Sequence, residues 1–552
     1  MMKNLCSREQ LSFILKVQDK HLTYLLYGKG INKCYHSFLI PKKNGEQRKI
    51  DAPNNELKQV QRRLGEALLD YQEKIWKEQD IEPRIANAFL RGKSIITNAR
   101  VHRNRKYVLN MDLEDFFGSF HFGRVLGFFE KNKNFSMDKK VAIVMAQLTC
   151  YNGALPQGAP TSPIVSNLIF QIVDMRILEL ARKYRLDYTR YADDLTFSTN
   201  DKRFRNNKDE FITKMSSLLR KSGFSINEEK TRFLCYSSRQ SVTGITVNEK
   251  LNVSHEYIKT TRAMAYSLYT KGKFYIHPGE EGTIDQLQGR LSFIDQLDLY
   301  NNRLDKDKHN WRCLNMREKE YQKFLFYRHF VSNEKPLIVT EGKTDIVHLR
   351  TALRHLEKHY PELINNKEGR FEYQIEFLNK TKKLKYFLDI NPDGANTMKN
   401  IYNLYSGGHG YPNLFKLFYS NSNRYKNPVI LLFDNETITK DKPLKQFIAH
   451  AKLTKEQENE FLEKLYLQLI PESNLYLVTL PLPQNKKECE IEDLYDDSAF
   501  PIIEGKHFDR KAGSEDEEHY GKEVFAHYIS KHDNVSYAGF KSLFDVFVEV
   551  CK

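Results

Sequence analysis

Leu186-Asp187-Tyr188-Thr189-Arg190-Tyr191-Ala192-Asp193-Asp194-Leu195-Thr196-Phe197-Ser198 places aromatic and β-branched residues on both sides of a two-carboxylate tip. The pattern predicts a β-hairpin whose turn carries Asp193 and Asp194. Two adjacent ionised carboxylates repel, and at a buried site one takes up a proton unless a cation holds both charged. Magnesium binds through a few carboxylates plus substrate phosphate oxygens, so a third carboxylate would complete a phosphoryl-transfer site. A solvated Asp-Asp turn is the plain alternative, and the surrounding sequence decides between them.

The third carboxylate is found upstream. Tyr107-Val108-Leu109-Asn110-Met111-Asp112 is a mostly apolar strand that delivers Asp112 at its end, beside Glu114, Asp115, Phe116 and Phe117. Earlier still, Phe38 to Ile50 reads as strand, Asn-Gly turn, strand, with Lys43 and Arg48 flanking the turn. Cations there suit a triphosphate, although a solvated basic hairpin has the same composition. Leu155-Pro156-Gln157-Gly158-Ala159-Pro160-Thr161-Ser162-Pro163 is a turn-rich loop entering a helix, and its small residues permit close backbone approach to a base pair. Downstream of the hairpin, Lys230 is placed to protonate departing pyrophosphate, or is simply one solvated lysine among many.

The 552 residues exceed what one core needs, and no apolar run reaches membrane-spanning length. The N-terminus leads into a mixed helical stretch rather than a signal peptide, which gives the expectation of a cytoplasmic protein without a membrane partner. The seven cysteines are scattered without a C-x-x-C pair, so neither a zinc site nor a disulfide framework is indicated. Net charge is +15 overall, but +19 over residues 1–330 and −4 over residues 331–552. A polyanion partner therefore belongs mainly to the first part.

Asp112 with Phe117, the Leu-Pro-Gln-Gly-x-x-x-Ser-Pro loop, Tyr-Ala-Asp-Asp, and Asn227 to Thr231 occur in the order used by reverse transcriptases. Asn98-Ala99-x-x-His102 and Val242-Thr243-Gly244 further resemble the marks of bacterial retron reverse transcriptases. The resemblance covers residues 10 to 330 and implies an α+β right-hand polymerase: fingers and palm over 1–255, thumb over 256–331. It assigns Asp112, Asp193 and Asp194 as catalytic ligands of a two-magnesium site, and Phe117 as the steric gate that selects deoxynucleotides. Lys43, Arg48, Gln157, Gly158 and Lys230 would contact the dNTP. Asn98, His102, Val242, Thr243, Gly244 and the thumb residue Arg262 would face a cognate structured non-coding RNA. The implied product is a branched RNA-linked DNA primed from a 2′-OH.

Beyond a linker read at Ser332 to Pro336, Leu337-Ile338-Val339-Thr340-Glu341-Gly342-Lys343-Thr344-Asp345 is a strand, acid, Gly turn and helix start. Val429 to Phe433 is a second apolar strand, releasing Asp434 and Glu436 at its tip. These residues resemble an α/β Toprim domain of the nuclease type over 332–552, with Glu436 where Asp is usual. Glu341, Asp345, Asp434, Glu436 and Glu492 would bind a divalent metal there, with Glu341, Asp434 and Glu436 catalytic and a nucleic acid as target. The resemblance implies an anti-phage effector restrained by its own RNA-DNA product. An intron-type reverse transcriptase, or a scaffold whose second domain only docks, remain as alternatives, and the oligomeric state is left open.

Overall fold

The computed structural model describes residues 2–41, 45–304, 310–392, 396–419, 425–484, 486–513, 516–532 and 535–552. It divides into two units, Met1–Ser254 and His255–Lys552.

In the first unit, β1 (Tyr35–Pro41) and β2 (Gln47–Pro53) pair antiparallel as the expected hairpin. Helix α1 (Asn55–Glu78) is capped by the Asn54 side chain, which accepts from Leu57 N. Leu57, Val60, Leu64, Leu68 and Tyr71 recur every three or four residues along it and are all buried. A short helix α2 (Ile95–Ala99) precedes β3 (Tyr107–Leu113), and α3 (Ser162–Lys183) precedes the hairpin of β4 (Asp187–Tyr191) and β5 (Asp194–Thr199). With β6 (Ile226–Cys235) these form a four-stranded antiparallel sheet in the order β4-β5-β3-β6. An aromatic cluster of Phe116, Phe120, Phe170 and Phe224 packs in the core of this unit.

The second unit holds helices α4 (His255–Lys271), α5 (Ile284–Leu304) and α6 (Met316–Phe326), followed by an α/β sheet. Strands β7 (Leu337–Val339), β8 (Glu376–Phe377), β9 (Val429–Phe433), β10 (Tyr466–Gln468) and β11 (Leu475–Thr479) lie in the order β8-β7-β9-β11-β10. All neighbours are parallel except the β10 edge. Helix α7 (Lys343–His355) follows β7, and α8 (Lys382–Leu388) follows β8.

The expected boundary at residue 331 falls inside this unit. One apolar core runs from Met264, Leu268 and Leu291 through Phe324 and Phe330 to Val339, Phe387, Leu431 and Leu477. Ser332 and Asn333, read as linker, are 5% exposed, and Asn333 Nδ2 donates to the carbonyls of Lys335, Asn427 and Pro428. A polar, proline-bearing stretch looks like a spacer in sequence, but here the Asn333 amide is taken up by carbonyls leading into β7 and β9.

Candidate active site

The β4–β5 hairpin closes at Tyr191↔Asp194, so Ala192 and Asp193 form the turn and Asp194 opens β5. Ala192 adopts φ +57°, the left-handed region that tight turns use. In the adjoining ladder Asp112 is the direct cross-strand partner of Asp194. Asp193 is tied to the same strand end, because its carbonyl accepts from Leu113 N at 3.1 Å. Sheet register thus brings together three carboxylates that lie about 80 residues apart in sequence, and like charges placed opposite one another repel.

Their electrostatics record that repulsion. Partial burial in the cleft, with Asp193 and Asp112 alongside, pushes Asp194 up to about 7. Burial also raises Asp193, with Asp112 adding to it and Lys230 and Arg48 opposing. Lys230 Nζ lies 2.8 Å from Asp112 Oδ1, so an ammonium occupies the carboxylate edge where a cation is called for. Among the described residues no three His, Cys, Asp or Glu side chains are gathered closely enough to hold a metal ion. The donor set of hard oxygens with excess negative charge nevertheless fits magnesium, which takes part of its shell from substrate phosphates.

Asp112 and Asp193 open onto a cleft of ≈ 530 Å³ lined also by Arg48, Lys49, Gln157 and Lys230, while Asp194 stands beside them on β5 outside its lining. Phe117 is half-buried and edge-to-face with Phe116, and the cleft is lined on either side of it by Phe116 and Gly118. Gly158 is dictated by geometry: its φ is +125°, and a Cβ there would sit 2.8 Å from Ile50 and 2.9 Å from the Asp51 carbonyl. Beside it, Gln157 O accepts from Asp51 N at 2.8 Å, locking the loop to the basic hairpin. Lys43 lies outside the described residues.

Three residues expected to face RNA are instead interior. Asn98 and His102 are fully buried, His102 bonding Ser198 Oγ and Thr189 Oγ1 at 2.7 Å each, while Thr189 donates to Asn98 Oδ1 at 2.6 Å. Burial pushes His102 down to about 3, so it stays neutral. These side chains tie the segment around α2 to the back of the sheet. Val242 is also fully buried, leaving the Thr243–Gly244 turn as the accessible part of that motif. Arg262 is exposed on α4 in the second unit.

Sequence reasoning passed over Arg190 and Asp174. Arg190 is completely buried, pairs with Asp174 through Nε at 2.9 Å and Nη2 at 2.8 Å, and stacks on Phe170. A charged residue inside a strand pattern carries no signal of this kind; only its alternation with the inward-facing Tyr188 hints at burial.

In the second unit a further acidic group lies at the carboxyl ends of adjacent parallel strands. Glu341 follows β7, Asp434 follows β9, and Glu341 Oε1 accepts from Asp434 N at 3.2 Å. Asp345 caps α7, accepting from Gly342 N at 2.8 Å. Burial, with Asp345 and Glu436 nearby, pushes Glu341 up to about 7. Asp434 is raised well above the usual range by burial, then by Glu341, Asp345 and Glu492. Glu492 is fully buried, with Lys522 Nζ 3.3 Å away, and the same ammonium is 3.0 Å from Glu490. Glu436 is engaged by Lys442. Lys522, remote in sequence and outside any motif, is the partner that sequence reasoning missed.

Residues 40–254 match the family model for reverse transcriptase (RNA-dependent DNA polymerase). The retron Ec86 reverse transcriptase of Escherichia coli is 31% identical over 296 residues, covering 52% of this chain and 83% of that one. Two Myxococcus xanthus proteins, the retron Mx162 and Mx65 reverse transcriptases, are 30% and 36% identical. Those matches span 53% and 42% of this chain but 64% and 55% of the relatives, under two thirds of their length.

Proposed function

Because the chain belongs to the retron reverse transcriptase family, we propose that its first unit is an RNA-directed DNA polymerase that copies a cognate structured RNA into RNA-linked DNA. The observation that carries this reading is the pairing of Asp112 with Asp194 across the ladder, with Asp193 at the adjoining turn, in a cleft bordered by Arg48 and Gln157. Asp112, Asp193 and Asp194 would hold Mg²⁺, which would supply charge neutralisation for in-line phosphoryl transfer. Arg48 meets triphosphate charge, Gln157 and Gly158 border the nascent pair, and Phe117 excludes a 2′-OH. Lys230, paired with Asp112 here, would give a proton to departing pyrophosphate. Exposed Gly244 in the first unit and, separately, exposed Arg262 in the second are assigned to RNA contact.

The test is nucleotide addition on an RNA template. Asp193→Asn with Asp194→Asn abolishes it, and persistent synthesis refutes the assignment. Sequencing the nucleic acid that copurifies with the protein checks the retron product: a branched RNA-DNA species supports it, and its absence favours an intron-type polymerase.

For the second unit, the convergence of Glu341, Asp345, Asp434 and Glu492 at parallel strand ends favours a Toprim-type, metal-dependent nuclease acting as a defence effector. Glu341→Ala or Asp434→Ala then removes Mg²⁺-dependent cleavage of nucleic acid while sparing DNA synthesis. Absence of cleavage by the unmodified protein under activating conditions favours a docking role.

A further inference from the structure

Tyr151 belongs to none of the motifs that define the polymerase site, yet it borders the same cleft as Asp112, Asp193, Arg48 and Gln157. Its backbone is fixed by a two-residue turn. Tyr151 N donates to Ala154 O at 2.8 Å, and Asn152 and Gly153 between them take φ +49° and +85°, the conformation for which Asn-Gly is suited. The turn is pinned from outside, since Phe122 N donates to Gly153 O at 2.7 Å and Leu155 N to Phe120 O at 3.2 Å.

Its ring is fixed as well. Tyr35 stacks on it with centroids 4.3 Å apart and planes 22° from parallel. Tyr35 is in turn anchored, because its hydroxyl accepts from Gln61 Nε2 at 2.7 Å, and the same amide donates to Leu148 O at 2.7 Å from a fully buried position. Tyr35, Gln61 and Leu148 thus hold one phenol at the cleft wall. Among the described residues the Tyr151 hydroxyl has no hydrogen-bond partner.

We propose that Tyr151 positions the incoming nucleotide, its hydroxyl donating a hydrogen bond to an oxygen of the sugar or the triphosphate. A ring already stacked on Tyr35 has one face committed, so its hydroxyl, rather than a base-stacking surface, is what it offers. The inference rests on the polymerase reading of this cleft and adds a residue to it.

Single-nucleotide addition by the full chain on an RNA template with a DNA primer, using dTTP and ddTTP, tests the proposal. Tyr151→Phe keeps the stack and removes only the hydroxyl; it is expected to raise KM for dTTP about three- to tenfold with kcat within about twofold. A rise confined to dTTP identifies the sugar 3′-OH as acceptor, and an equal rise for ddTTP identifies the triphosphate or the sugar ring oxygen. Tyr35→Leu, which frees the ring, should reproduce the KM rise, and Tyr35→Phe, which retains the stack, should not. Unchanged KM in Tyr151→Phe overturns the proposal while leaving the polymerase reading intact. Failure of the unmodified chain to extend the primer at all refutes the polymerase reading itself.

Discussion

Arg190, with no exposed surface, hydrogen-bonds the main-chain carbonyl of Ala192 at 3.2 Å. The same guanidinium is held from below by Asp174 and Asn167, so the turn carrying Asp193 is braced by an interior ion pair rather than by the turn sequence alone. Removing one partner of such a pair strands a buried charge. Asp174→Asn is therefore expected to cost about 3–5 kcal/mol of stability, measurable by denaturant unfolding, and to reduce nucleotide addition beyond the loss of folded protein. Stability within 1 kcal/mol of the unmodified chain, by the ~1 kcal/mol resolution of such mutational comparisons, would show the brace to be dispensable.

On the proposed reading Lys230 would compete with magnesium for Asp112. The ion pair is partly exposed, so its strength lies in the ~0.2–1 kcal/mol range, equivalent to at most about fivefold in apparent affinity. Lys230→Met should lower the Mg²⁺ concentration for half-maximal activity by about two- to fivefold and at the same time slow turnover. A magnesium titration of primer extension reads both, and a midpoint that stays put or rises removes the competition.

Gly158 tolerates no side chain. Gly158→Ala drives a Cβ against Ile50 and the Asp51 carbonyl at a φ that L residues rarely adopt. The expected cost is about 2–4 kcal/mol, with loss of nucleotide addition as the loop separates from the basic hairpin. Thermal melting and primer extension on the purified variant check both effects.

Asp298, 2% exposed on α5 of the second unit, is pushed up to about 6 by burial, which Arg317 opposes and Glu318 and Asp295 reinforce. A carboxyl raised in the folded state is favourable while protonated. Its contribution is fully present below the unfolded value near 4 and is lost as pH rises through about 6. The second unit should therefore lose about 3 kcal/mol from this group between pH 4 and pH 7. Asp298→Asn should flatten that part of the melting temperature against pH curve, and an unaltered slope would assign the dependence elsewhere.

The placing of Asp112, Asp193 and Asp194 at adjoining strand ends was legible because the hairpin signal is local and strand ends advertise acids. Asp112 was located correctly at a strand terminus, and the β3–β5 register then set it opposite Asp194. Asn98 and His102 misled because sequence does not distinguish a polar residue satisfied inside a network from one offered to a ligand. Arg190, Asp174, Lys522 and the Tyr35–Tyr151 stack escaped because each depends on contacts between distant segments. The stretch at Ser332 reads as a linker for a similar reason: only the arrival of Asn427 and Pro428 turns its polar groups inward.

The interior shared by α4 to α6 and the α/β sheet bears on how such a chain can be re-engineered or recombined. A cut after residue 331 would bare Phe324, Phe326 and Phe330, all buried against Leu, Val and Phe side chains, and the fragment would be prone to clump. Joining a different C-terminal half to the first unit is best done near Ser254, so the helices travel with the sheet as one heritable cassette.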